Sequence, residues 1–326
     1  MDKNELIWPL NYYVITVEVK LFSGQYSKYL AEKIADYYGT PLGKWTLSRF
    51  SDGEMHPVIE ESVRGSYVFF IQSTASPADN LLELLLLIDT ARRASADYIT
   101  AVIPYFGYSR QDRKDKPRVP ISAKLIANLL QTAGANRIMT MELHADQIQG
   151  FFDIPVDHLQ SNAIFFPYLE QQKLDKETVI FAAPDVGGVK RARDYANYFQ
   201  CDLVICDKQR RKANEIAGMT VIGDVQDRDV ILVDDMADTA GTLCRAADAL
   251  VQKGAKSVRA ICTHPVLSGK AYENIEASQL SELLVTDTLP LRQSSPKIKV
   301  LSSEKLFAHA IRNTHEHRSI SALFVR

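Results

Sequence analysis

With 326 residues, 46% of them hydrophobic and 24% charged, the chain has the composition of a folded globular protein, which excludes disordered and fibrous classes, and its length suits two domains of ordinary size. The formal net charge of -2 supplies no overall field for nucleic acid or an anionic membrane. Any anionic ligand must therefore be met by a local basic cluster.

The N-terminal region lacks the basic, then apolar, then small-residue order of a secretory signal, so the cytoplasm is the expected location. The strongest apolar run, "LLELLLLI" (81–88), falls far below the ~20 residues needed to span a bilayer and contains Glu83; it reads as a core helix. Strand-length apolar runs follow at 98–103, 137–143, 178–183, 202–206, 230–233 and 258–263, separated by helix-length amphipathic segments. Continuous apolar strands alternating with helices specify an α/β class with parallel sheets covered on both faces. Cys201, Cys206, Cys244 and Cys262 lie in or beside these apolar segments without CxxC spacing. That pattern favours free buried thiols in a reducing compartment over zinc ligands or disulfides.

An internal echo sharpens the architecture. "LIANLLQTAGANRIMTMELH" (125–144) and "RAADALVQKGAKSVRAICTH" (245–264) align without gaps, matching at Ala127 and Ala247, Leu130 and Leu250, Gly134-Ala135 and Gly254-Ala255, and His144 and His264. In both, an amphipathic helix ends at a glycine suited to a left-handed cap and a strand leads to histidine. The simplest inference is a duplicated strand-loop-helix-strand unit, hence two domains of one fold that differ in their loops, with chance alignment of common α/β units as the plainer alternative.

The second copy carries "VILVDDMADTAGT" (230–242), which delivers Asp234 and Asp235 to the carboxyl end of a buried strand, where open α/β sheets bind ligands. A helix starting near Thr242 presents unpaired N–H groups, and Thr239, Gly241 and Thr242 add hydroxyls and close backbone approach; this is a phosphate cradle. Paired acids beside a phosphate must accept hydrogen bonds from hydroxyls or hold a bridging cation. A pentose phosphate satisfies both ends, while a solvated acidic turn is the plainer alternative. The first copy has instead the long basic loop "PYFGYSRQDRKDKPRVP" (104–120), whose guanidiniums suit a polyphosphate if the loop is not simply solvated surface.

The acidic turn resembles the signature of the type I phosphoribosyltransferase fold. Together with "RFSDGE" (49–54), "ELHADQIQGFFD" (142–153), "APDVGG" (183–188) and "DKQRRKAN" (207–214), the chain resembles the ribose-phosphate pyrophosphokinases from about residue 19 to 324. The resemblance implies two tandem phosphoribosyltransferase-type α/β domains, each a mainly parallel sheet flanked by helices, at 1–162 and 163–312, with the tail 313–326 packing back on the first. It implies conversion of ATP and ribose 5-phosphate into 5-phosphoribosyl 1-pyrophosphate and AMP with Mg2+. Phe50, Asp52, Glu54, Arg110, Gln111 and Asp112 would then serve ATP, and His144 and Asp185 the metal. Asp234, Asp235, Asp238, Thr239, Ala240, Gly241 and Thr242 would hold ribose 5-phosphate, and Lys208 and Arg210, on a mobile loop, would be catalytic. A hexamer built from dimers, with the adenine site shared across subunits, is implied too. Phosphate and ADP would act as effectors, with Ser62, Arg64, Ser319 and Ser321 in their site.

Three departures stand out. Ala240 occupies a usual glycine position and costs about 1 kcal/mol if φ is positive, Gln209 replaces a common basic residue, and about 18 residues, including the apolar "ELIWPLNYYVITV", precede the family's usual start. Three rivals remain at this stage. A silent regulatory homologue would form no AMP; a phosphoribosyltransferase has no use for "RFSDGE" or "SRQDRK"; a DNA-binding regulator would need a basic surface or an added module.

Overall fold

The structure is a computed structural model that describes residues 17–212 and 215–323, without the side chains of 208–218 and 322. The apolar segment 5–16, expected to pack against the body, lies outside the described residues. In chain order the first unit comprises β1 (Val19–Ser23), α1 (Lys28–Tyr38), β2 (Trp45–Arg49), β3 (Met55–Ile59), β4 (Tyr67–Ile71), α2 (Asp79–Arg93), β5 (Tyr98–Ile103), α3 (Ser122–Ala133), β6 (Arg137–Met141) and β7 (Val156–Leu159). The second comprises α4 (Asn162–Gln171), β8 (Val179–Ala183), α5 (Val189–Phe199), β9 (Asp202–Lys212), β10 (Glu215–Ile222), β11 (Asp229–Met236), α6 (Gly241–Gln252), β12 (Ser257–His264), α7 (Ala271–Ala277), β13 (Glu282–Thr286) and β14 (Ile298–Leu301). Helix α8 (Glu304–His315) follows.

Five parallel strands form the first sheet in the order β1-β4-β5-β6-β7, and β2 and β3 form a separate antiparallel hairpin. The second sheet runs β10-β9-β8-β11-β12-β13-β14, parallel except for β10. Alternation of side chains explains why the strands read as unbroken apolar runs. Phe22, Phe70, Ala101 and Ile138 enter the core under α2 and α3, while their neighbours Leu21, Phe69, Val102 and Met139 enter the one under α1 and α8. The second sheet repeats the device, with Leu232 and Ala260 on the α6 face and Ile231, Val233 and Ile261 on the α4 and α5 face. Both faces are covered by helices, so neither carries a polar stripe.

The duplicated segments occupy equivalent places. Ala127, Ala247, Leu130 and Leu250 are fully buried, and Gly134 (φ +122°) and Gly254 (φ +96°) end α3 and α6 in the left-handed region. Ala135 N donates to Leu130 O at 3.2 Å and Ala255 N to Leu250 O at 3.0 Å, so both helices close with the same glycine-capped turn. The run 81–88 lies within α2, with Leu81, Leu84, Leu87 and Ile88 buried. Two expectations need correction. Residues 207–212 continue β9 rather than forming a loop, because β10 supplies an antiparallel partner that pairs Met219 with Lys208 and Ile216 with Arg210. The return to the first unit begins at α8 rather than at 313, since Phe307, Ala308, Ala310 and Ile311 share a core with Leu21, Leu30 and Phe69.

Candidate active site

The carboxyl ends of the two sheets meet. Tyr105, beyond β5, packs in a small apolar cluster with Met236 and Leu289 from the ends of β11 and β13, and its ring lies edge-on to that of His264, centroids 4.9 Å apart. Ser73 Oγ donates to Thr288 O at 2.8 Å, Tyr29 Oη to Asp287 O at 2.7 Å and Lys33 Nζ to Asp287 Oδ2 at 3.0 Å. These contacts hold the strand tips opposite one another around a cleft of about 640 Å³, lined by Arg110, Asp112, His144, Asp185, Asp234, Asp235, Asp238 and Thr242.

On the second unit, β11 carries Asp234 and Asp235 to the rim, and Asp235 N donates to Asp234 Oδ1 at 2.9 Å. The two carboxyls titrate in opposite directions. Burial, reinforced by the charge of Asp235, pushes Asp234 well above the carboxylate range. Burial acts on Asp235 too, but the hydrogen bond from His144 Nδ1 at 2.7 Å and the nearby Arg191 outweigh it and hold Asp235 low. The same bond raises His144 above the usual imidazole value. Asp238 accepts from Ser268 Oγ and from Arg110 Nη1, the latter at 2.5 Å; against burial, these two partners draw its carboxyl down.

The turn then enters α6 through Ala240, whose φ of +55° and ψ of 2° are left-handed. Its methyl is buried. Cys244 N donates to Ala240 O at 2.9 Å, so the amides of 241–243 precede the helical bonding pattern and are available to an anion. Thr239 is exposed, with its carbonyl taken by Asn274 Nδ2 at 2.9 Å.

On the first unit, the basic loop leaves β5 and brings Arg110 and Asp112 to the cleft. Gln111 faces an adjoining recess of about 250 Å³ that shares Arg110, Asp112 and His144, and Gln147 Nε2 donates to Asp112 Oδ2 at 3.0 Å. Asp185 follows β8 and accepts from Gly188 N at 3.2 Å, closing the turn before α5. Gly187 and Gly188 leave that turn bare toward the cleft.

Other predicted residues lie apart. Phe50, Asp52 and Glu54 occupy the exposed tip of the β2–β3 hairpin, closed by Phe50 N to Glu54 O at 2.9 Å, and Phe50 is 56% exposed. Ser62 and Arg64 sit on the surface after β3, and Ser319 and Ser321 on the turn after α8; neither pair lines the cleft. Lys208 and Arg210 lie on β9, their side chains outside the description.

Sequence reasoning missed Arg191 and Glu142. Arg191 Nε donates to Glu142 Oε1 at 2.8 Å, and Nη1 lies 3.9 Å from Asp235 Oδ1. A signal existed: Arg191 falls one turn before Tyr195, on the same stripe of α5 that buries Ala192 and Ala196, and a charge on an apolar stripe requires a partner. His264, by contrast, is structural. Fully buried and lowered in pKa by that burial, it donates through Nε2 to Glu142 O at 3.0 Å and accepts at Nδ1 from Thr288 Oγ1 at 2.9 Å.

Known proteins share this arrangement. Residues 19–134 match the family model for the N-terminal domain of ribose phosphate pyrophosphokinase, and residues 207–325 match that for the phosphoribosyl synthetase-associated domain. A ribose-phosphate pyrophosphokinase of Porphyromonas gingivalis is 55% identical over 93% of this chain and 97% of its own length. One from Campylobacter jejuni is 55% identical over 94% and 99%. The crystal structure of phosphoribosylpyrophosphate synthetase from Mycobacterium smegmatis superposes with a TM-score of 0.87 at 38% identity, covering 92% of this chain and 99% of that one. Likeness of this extent covers both units, and the chain belongs to the ribose-phosphate pyrophosphokinase family.

Proposed function

We propose that this chain transfers the β,γ-pyrophosphoryl group of MgATP to the 1-hydroxyl of ribose 5-phosphate, giving 5-phosphoribosyl 1-pyrophosphate and AMP for nucleotide biosynthesis. The observation that carries the assignment of the site is the convergence of the acidic turn, His144, Asp185 and Arg110 on one cleft. In this reading Asp234 and Asp235 hold the ribose diol. Asp235, whose carboxyl is held low by His144 and Arg191, accepts from a hydroxyl, and Asp234 stands beside it on the same strand tip. Asp238, Thr239, Ala240, Gly241 and Thr242 take the 5-phosphate at the start of α6.

Arg110, Gln111 and Asp112 serve the triphosphate from the other wall, with Arg110 released from Asp238 as phosphate enters. The sugar's 1-hydroxyl attacks the β-phosphorus, and charge gathers on the pyrophosphoryl oxygens and on departing AMP. Alignment and electrostatic stabilisation thus dominate, with Lys208 and Arg210 as the transition-state cations.

The donor set fits Mg2+ that arrives with nucleotide. Among the described residues no group of three or more His, Cys, Asp or Glu side chains forms a ready cage, and Mg2+ characteristically takes one or two carboxylates plus phosphate oxygens and water. Asp185 and His144 would hold the ion, Asp185 through its carboxylate. When bound, the ion neutralises charge on the transferred group.

The exposed hairpin with Phe50, Asp52 and Glu54 supports an adenine site completed by a neighbouring copy in a hexamer of dimers. Ser62, Arg64, Ser319 and Ser321 form the proposed site for phosphate and ADP. The division at 162 is supported by Leu159 and Phe165 entering different cores. No helix among the described residues is long and apolar enough to cross a membrane; a cytoplasmic location and the use of neither membrane nor nucleic acid belong to the proposal. The test is AMP release that requires both ribose 5-phosphate and Mg2+. ADP as the product, or ATP consumption independent of the sugar, overturns the proposal.

A further inference from the structure

Glu142 and Arg191 form a partly buried ion pair between the two units that the reaction scheme leaves unused. Their side chains are 13% and 19% exposed. Glu142, just past β6 of the first unit, has φ of +43°, in the left-handed region that costs a non-glycine residue about 1–2 kcal/mol. Its Oε1 takes Arg191 Nε, its Oε2 takes Ser161 N at 3.1 Å and Ser161 Oγ at 2.9 Å, and its carbonyl takes His264 Nε2. All of its acceptors are thus tied to the joint between the units.

Arg191 lies on α5 of the second unit. One side of its planar fork is fixed on Glu142 and Nη1 is turned to Asp235 Oδ1, while His144 takes Asp235 Oδ2. Both oxygens of Asp235 therefore face groups anchored on the first unit: His144 belongs to it, and Arg191 is held by its Glu142. Buried ion pairs contribute little net stability compared with apolar packing of the same volume, so strain and desolvation concentrated at this point call for another purpose.

We propose that Glu142 and Arg191 are positioning residues for the sugar, a strut across the two units that orients the Asp235 carboxylate toward the ribose diol. The proposal rests on the assignment of Asp235 to that diol. A lysine cannot reproduce the forked geometry, though it keeps the charge.

The test uses the full chain carrying Arg191→Met, Arg191→Lys, Glu142→Gln or the Met/Gln pair, with each substrate varied separately and unfolding followed in parallel. Arg191→Met and Glu142→Gln are expected to raise KM for ribose 5-phosphate by about tenfold while KM for ATP moves by less than about twofold. Arg191→Lys should fall between Arg191→Met and the parent, and the pair should be no worse than Arg191→Met alone, as for residues acting as one unit. Unchanged KM values with reduced stability, or equal losses for both substrates, overturn the strut. If Arg191→Met does not fold, Glu142→Gln and Arg191→Lys decide, and normal ribose 5-phosphate KM in both overturns it. Asp235→Asn separates the two levels. Should it leave ribose 5-phosphate KM unaltered, the sugar-site assignment fails; should it raise that KM while Arg191→Met does not, only the strut fails.

Discussion

Replacing Ala240 probes the phosphate turn without touching a charged group. The left-handed φ of +55° costs an alanine about 1–2 kcal/mol that glycine is spared. Against that relief, Ala240 is 4% exposed in the core under α6, so deleting its methyl forfeits about 0.8 kcal/mol of burial. Glycine also loosens the unfolded chain by about 0.4–1 kcal/mol. The opposing effects nearly cancel, and Ala240→Gly is expected to lie within about 1 kcal/mol of the parent. Ala240→Val has no such compensation. A β-branched side chain suits this backbone worse, and its extra methyls enter a filled core at about 1–3 kcal/mol. Urea unfolding at unchanged slope measures both, and repeating it with saturating ribose 5-phosphate shows whether the turn still binds. A valine variant as stable as the parent, or a glycine variant destabilised by more than about 2 kcal/mol, refutes this account of the turn.

The remaining predictions concern the scaffold. The folded pKa of His264 is lowered by burial, so the unfolded chain binds the proton more readily and stability falls as pH drops below the ordinary imidazole value. His158 is lowered by burial as well, so His264→Asn should reduce, not abolish, the loss in urea midpoint between about pH 7.5 and about 5.5. Asp287 accepts from Ser303 N and Ser303 Oγ, both at 2.7 Å, and from Lys33; Asp287→Ala should cost about 3 kcal/mol by leaving buried donors unmatched at the joint, read by calorimetry. Gly134→Ala and Gly254→Ala should each cost about 1–2 kcal/mol from their positive φ, with Gly134→Ala the costlier because its methyl meets the stem of Arg92 whereas that of Gly254→Ala meets the movable end of Gln226.

Much of this was legible because the decisive patterns are local. The run 98–103 coincides with β5, and the Gly134 and Gly254 echo marks two copies of one helix cap, since a left-handed cap and a small-residue core position constrain residue identity directly. The acidic turn was readable for the same reason, its carboxylates following a buried strand without a break. Partner choice was less visible. The apolar stripe of α8 indicates burial but not which sheet receives it, and it returns to the first. Polar residues 207–212 gave no strand signal because what makes them a strand is the antiparallel neighbour β10. Arg191 and Glu142 are distant in sequence and meet only when the two units face each other. Phe50, Asp52 and Glu54 were identified by resemblance alone, and within one chain they stand away from the cleft.

The central claim is that the cleft presents the β-phosphorus of ATP to a sugar held by Asp234 and Asp235. Single-turnover quench flow with ATP labelled at the β-phosphorus tests it most directly, using the parent and Asp235→Asn. The account predicts label appearing on the ribose 5-phosphate product in step with AMP, and slowed in the variant at subsaturating sugar. Label retained in ADP, or transfer that proceeds unchanged in Asp235→Asn, contradicts it.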